Sequence, residues 1–170
     1  VSEYGLSSNL GISYHEAAKL IADYGVQFPK ITSYLNFLKE KGERDGYVRT
    51  MFGRTRVLNE LSSLNRNMKQ FGLRAAMNTP IQGTAADIIK MSMNRVSEAF
   101  SKELPNALLV MQVHDELIVE CDEKDAVLAK NLLKQEMENT VDLSVKLLTD
   151  KSTVFSISCL RRFLARNGEY

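Results

Sequence analysis

Gln112-Val113-His114-Asp115-Glu116 stands between two apolar runs, Ala107-Leu108-Leu109-Val110-Met111 and Leu117-Ile118-Val119. Both runs are bulky or β-branched and about a strand long, so they read as two strands rather than one helix. Histidine and aspartate tolerate the positive φ of a tight turn better than most residues do. The stretch therefore predicts a buried β-hairpin over roughly residues 107–121, with two adjacent carboxylates, Asp115 and Glu116, at its tip. Desolvated charge costs free energy unless a cation or hydrogen bonds compensate it. The pair is thus a candidate metal site. An ordinary hairpin with a solvated polar turn is the other reading that the hairpin alone leaves open.

Helical patterns flank the hairpin. Downstream, Lys124 to Thr140 predicts a helix with Val127, Leu128, Leu132, Leu133 and Met137 inward, and Ser144 to Leu148 a last strand. Upstream, a long helix is expected from about Asn65 to Phe100, with a break or kink near Thr79 because Pro80 follows. Tyr47 to Arg56 looks extended, with Gly53 as its turn. Nearer the start, Ser13 and Glu16 fit a capping box, and Ala17, Leu20, Ile21 and Tyr24 recur at helical spacing up to a stop at Gly25. Pro29 can begin a further helix whose face carries Ile31, Tyr34, Leu35 and Leu38, ending near Gly42 to Gly46. One α+β unit without internal repeats is the architecture these patterns favour.

Composition narrows the class. With 170 residues, 44% hydrophobic and 25% charged, the chain can build one domain with a real core. No apolar stretch approaches the roughly 20 residues of a membrane span. Cys121 and Cys159 have neither metal-ligand spacing nor partners for a disulfide framework, which favours a reducing compartment. Net charge is only +1, but between Arg49 and Arg74 six basic residues (Arg49, Arg54, Arg56, Arg66, Lys69, Arg74) face one acid, Glu60. Phosphate recognition needs such a local excess. On charge alone, a solvated basic face is the simpler account.

A second constellation lies within the long helix. Arg74, Asn78 and Gln82 are four apart, on a background of alanine and apolar residues, so they share one face. Gly83, Ala85 and Ala86 let another backbone approach closely. Long amide and guanidinium donors on small residues suit a minor groove, where every base pair presents an acceptor and shape is checked without reading sequence. A buried polar stripe satisfied by neighbouring carbonyls is the alternative.

Together, Arg74-Ala75-Ala76-Met77-Asn78-Thr79-Pro80-Ile81-Gln82-Gly83-Thr84-Ala85-Ala86-Asp87-Ile88-Ile89-Lys90 and Gln112-Val113-His114-Asp115-Glu116-Leu117 closely resemble family A DNA polymerases, the bacterial DNA polymerase I type. The first is similar to the family's long helix beneath the primer–template junction, the second to its motif C in the palm. Ser2 to Ile12 and Phe28-Pro29 resemble part of the fingers subdomain; Gly46-Tyr47-Val48 and Gly53-Arg54-Thr55-Arg56 resemble the strand and turn that follow. The resemblance covers residues 1–148 as a partial polymerase domain and leaves 149–170 as a divergent, unassigned tail, in which Leu160, Phe163 and Leu164 could form an apolar helical face. A shifted reading frame or an assembly error would also produce such an ending.

The resemblance implies template-directed addition of deoxynucleotides to a primer 3′-hydroxyl, with two magnesium ions at the reacting atoms. It makes Asp115 a metal ligand, Glu116 an auxiliary acid, and Gln112 and His114 neighbours of the primer end. Arg74, Asn78 and Gln82 become primer–template contacts, and Arg54 and Arg56 phosphate contacts. Partners would be primer–template DNA and deoxynucleoside triphosphates, with no membrane, in a bacterial cytoplasm or in a phage or organelle. The mechanism also calls for a second aspartate in a segment reading roughly Asp-Tyr-Ser-x-Ile-Glu. Asp23, Asp45, Asp87, Asp122, Asp125, Asp142 and Asp150 all stand in other contexts. The helix that holds the incoming triphosphate is expected just before Val1. The chain by itself is therefore expected not to polymerise, and a non-catalytic primer–template binding module is the alternative. A metal-dependent nuclease built on Asp115 and Glu116 has no further clustered carboxylates behind it.

Overall fold

A computed structural model describes residues 2–149 and the backbone of a short strand at 155–156. The apolar face of residues 160–164 considered above, and Cys159 and Asp150, lie outside the described residues. By its contacts the chain divides into two units, Val1–Gly83 and Thr84–Tyr170.

The first unit is mostly helical. Ser2 caps α1 (Glu3–Leu10), accepting from the Gly5 amide, and Gly11 closes it in the left-handed region. The capping box forms as the sequence predicts, with Ser13 and Glu16 exchanging bonds at the start of α2 (Tyr14–Gln27). These hydrogen bonds from Ser13 hold the Glu16 carboxyl below its ordinary range. Gly25 does not stop α2, which continues to Phe28, where Pro29 opens α3 (Pro29–Asp45). Of the apolar positions expected inward, Ala17 and Leu38 are buried, but Leu20, Tyr24, Ile31 and Tyr34 are exposed. Periodicity marks a face; it does not supply the neighbour that would cover it. Gly46 ends α3, and β1 (Tyr47–Arg49) and β2 (Thr55–Val57) pair antiparallel around the Gly53 turn. A 3-10 turn at Asn59–Ser62 leads to α4 (Arg66–Glu103). Val48, Leu58, Ala75 and Ala76 form this unit's small core, with Leu61 packed against it.

No break occurs at Thr79: α4 is one helix with Pro80 inside it. Proline removes one backbone bond, yet long helices survive this where tertiary packing holds both sides. Pro80 is buried here, as are Ala75 and Ala76 one turn before it.

The second unit takes the rest of α4 and builds on the hairpin. β3 (Leu108–Val113) and β4 (Glu116–Cys121) pair antiparallel, Val113 opposite Glu116, with a bulge between Leu109 and Met111. Leu117, Val119 and Cys121 share one core cluster with Val96, Phe100 and Leu104, and with Ala129, Leu132 and Leu133 of α5 (Ala126–Glu138). Burial raises the Cys121 thiol above its ordinary pKa, helped by Asp125 and Asp122, so it stays protonated. Only one face of the hairpin is covered; Val110, Met111, Val113 and Ile118 are exposed on the other. Within α5, Leu132 and Leu133 point inward as expected, but Val127 is 72% exposed and Leu128 also faces out. Ala129 is buried with them instead, one turn before Leu132 and Leu133 on the same face.

Ser144–Leu148 forms no strand; the segment is irregular, and Thr149 donates its amide to the Glu138 carboxylate at 2.8 Å. That amide, with the Lys134 ammonium 3.2 Å away, keeps the Glu138 carboxyl low. The third strand of the sheet is β5 (Phe155–Ser156), parallel to β4. Ser92, buried, shares a 2.8 Å hydrogen bond with Thr140, and Arg95 pairs with Glu136 at 2.9 Å.

Candidate functional site

Strand pairing leaves two residues for the turn, His114 and Asp115. A two-residue connection forces positive φ, and His114 supplies it at 53°, the one non-glycine position with positive φ among the described residues. Gln112 folds back and donates its side-chain amide to the His114 carbonyl, which ties the turn to β3. Asp115 then occupies the tip and Glu116 begins β4, both exposed.

Neither carboxylate has a hydrogen-bond or ion-pair partner among the described residues, in contrast to Glu136 and Glu138, which do. Two adjacent, uncompensated carboxylates offer the oxygen donors a hard divalent cation takes, and magnesium commonly uses only one or two from protein. The residues present therefore fit such an ion in part. Among the described residues no three His, Cys, Asp or Glu side chains gather around one point.

In the first unit, Arg74, Asn78 and Gln82 are all exposed on α4, while Ala75, Ala76 and Pro80 between them are buried. The buried-stripe alternative thus fails: these are long donors presented to solvent from a helix whose opposite side is packed. Helical rise spaces Arg74 and Gln82 about 12 Å apart along the axis.

The basic excess of residues 49–74 is largely spent on the fold. Arg49 lies over the Tyr47 ring at 5.1 Å and donates to Thr55 at 3.2 Å. Lys69 pairs with Glu43 at 3.3 Å. Arg54 donates to the Gly83 carbonyl at 3.0 Å, and Arg56 to the Thr79 hydroxyl at 3.2 Å while lying 3.7 Å from Glu60. Thr50 was not singled out by the sequence, and Glu60 and Thr79 only as the one acid of the basic stretch and the place of the expected break; the signal pointing to a supporting role was Pro80, where α4 needs support. No described helix is long and apolar enough to cross a membrane.

Comparison with known proteins agrees with both motifs. The model of DNA polymerase family A matches residues 1–154. DNA polymerase I of Streptococcus pneumoniae is 40% identical over 152 residues, 89% of this chain and 17% of that protein. The enzyme of the same name from Caldicellulosiruptor bescii is 38% identical over 150 residues, 88% of this chain and 18% of that one. The chain thus spans less than a fifth of the length of these relatives. Among solved structures, the POL domain of Pol1 from M. smegmatis, in complex with DNA primer-template and dNTP, superposes with a TM-score of 0.80 at 39% identity. That match covers 86% of this chain and 26% of the other. An exposed carboxylate turn on a hairpin, a donor stripe on a long helix and a family match running through both lead to one assignment: the chain belongs to family A of the DNA polymerases.

Proposed function

We infer that this chain is part of the polymerising region of a DNA polymerase I-like enzyme, which adds deoxynucleotides to a primer 3′-hydroxyl under template direction. Residues 1–148 supply a fingers remainder and palm elements; 149–170 are a divergent tail. The observation that carries the reading is the His114–Asp115 turn, which presents Asp115 and Glu116 without compensating partners in a chain matched to the family through that segment. In this reading Asp115, assisted by Glu116, holds a divalent cation, magnesium by the oxygen-donor chemistry. When bound, such an ion activates the primer hydroxyl and stabilises the leaving pyrophosphate. Gln112 and His114 lie near the primer end, and Gln112 also fixes the turn through its bond to the His114 carbonyl. Arg74, Asn78 and Gln82 donate to the minor-groove acceptors of primer–template DNA, whatever the sequence. A bacterial cytoplasmic setting goes with this function.

Two carboxylates with no third group gathered to them among the described residues fit half of a two-metal centre, and they favour a chain that binds primer–template DNA without extending it. Equilibrium binding of a labelled primer–template duplex tests the groove assignment. Arg74→Ala, Asn78→Ala and Gln82→Ala are each expected to weaken binding by about five- to tenfold. Binding equal to the unmodified chain in all three variants would remove the assignment. Titration with manganese, read by water-proton relaxation, tests the turn: Asp115→Asn is expected to abolish the site, and an unchanged titration would refute it.

A further inference from the structure

Pro80 cannot donate to the Ala76 carbonyl, yet α4 runs through it unbroken. Around that point the β1–β2 hairpin sets two guanidinium groups on the helix. Arg54 donates to the Gly83 carbonyl at 3.0 Å, across 29 residues of sequence, and Arg56 to the Thr79 hydroxyl at 3.2 Å, across 23. Thr79 directly follows Asn78 in the chain, and Gly83 directly follows Gln82. Each arginine thus grips the helix beside a member of the donor stripe. The hairpin is itself seated closely. Thr50, 5% exposed, accepts from the Arg54 amide at 3.1 Å, and its methyl lies 2.7 Å from where a Cβ on Gly83 would stand. Glu60, 3.7 Å from Arg56, pairs with the second guanidinium.

We propose that Arg54 and Arg56 are positioning residues. They fix α4 on either side of the proline position, and so set the direction in which Asn78 and Gln82 meet DNA; they do not neutralise backbone phosphate. The proposal rests on the reading of Arg74, Asn78 and Gln82 as minor-groove donors. It replaces the phosphate role that the family resemblance implies for the two arginines, because both guanidinium groups donate to the helix. A hydrogen bond to a neutral acceptor needs a donor of the right length, not a charge. The two roles therefore separate by substitution.

The experiment is anisotropy binding of the full chain to a labelled primer–template duplex over a salt series. Arg54→Met and Arg56→Met lose both the donor and the charge. Thr79→Val and Gly83→Ala keep every charge: the first removes the acceptor that Arg56 uses, and the second forces the Thr50 contact apart. All four variants are expected to bind about tenfold more weakly, with the salt dependence of the unmodified chain. A phosphate contact predicts otherwise: the methionine variants would weaken with the slope of log K against log salt falling by about one, while Thr79→Val and Gly83→Ala would bind as the unmodified chain does. That result overturns the proposal, as does methionine binding equal to the unmodified chain. Circular dichroism melts establish folding, and where a methionine variant is unfolded Thr79→Val and Gly83→Ala decide. Arg74→Ala runs in the same series: if the unmodified chain ignores the duplex, or Arg74→Ala binds as well, the groove reading itself fails and takes this proposal with it.

Discussion

His114 is held at φ 53°, a region that L-residues other than Asn, Asp and His enter rarely. A tight turn needs that conformation, and glycine would adopt it without steric cost, so the side chain is retained against a local penalty of about 1–2 kcal/mol. His114→Gly is therefore expected to raise the thermal midpoint, by the equivalent of up to about 1 kcal/mol. Differential scanning calorimetry checks this; a lowered midpoint would mean that the imidazole makes contacts which outweigh the strain. The motif Val113-His114-Asp115-Glu116 was legible in the sequence because turn chemistry is local: two residues between two apolar runs leave few alternatives. Cys121 was legible only as a cysteine, since burial at the end of β4 is what raises its thiol pKa.

Between α4 and its neighbours, packing is decided by missing side chains. A Cβ on Gly72 would lie 2.8 Å from a Leu61 methyl and 3.1 Å from the Glu60 Cβ. The 3-10 turn that carries Glu60 can reach α4 only where the helix has no side chain. Gly72→Ala is expected to destabilise the first unit by about 1–3 kcal/mol, the usual cost of overpacking, measured as a shift in urea midpoint with an unchanged slope. Helix α4 also shows where local rules lose. A proline predicts a break, but buried alanines before it and hydrogen bonds from a distant hairpin beside it keep the helix unbroken at its weak point. Those bonds join residues more than 20 apart, beyond any window that periodicity can read.

At the scale of the molecule, apolar surface is left open among the described residues. Val110 and Met111 on the hairpin are each more than half exposed, as are Tyr14 and Tyr24 on α2. Exposed apolar residues of this kind are what the proposed function, as part of a larger enzyme, leaves for neighbouring segments to cover. The purified chain, given primer–template DNA, deoxynucleotides and magnesium, is expected to give no primer extension, because in the proposed reading Asp115 and Glu116 supply only part of a two-metal site. Extension that disappears in Asp115→Asn would show instead that the chain completes its own catalytic centre.

By itself the sequence determined the hairpin and its carboxylate tip, the capped helix start at Ser13 and the proline start at Pro29, and the donor stripe at Arg74, Asn78 and Gln82. All of these follow from interactions between residues a few positions apart: turn geometry, capping and helical spacing. Tertiary structure alone decided which apolar faces are covered, as at Leu20 and Val127. It kept α4 continuous at Pro80, and it directed Arg54 and Arg56 onto Gly83 and Thr79. Each of these depends on what a segment distant in the chain brings alongside, and a pattern read along one segment contains no term for that neighbour.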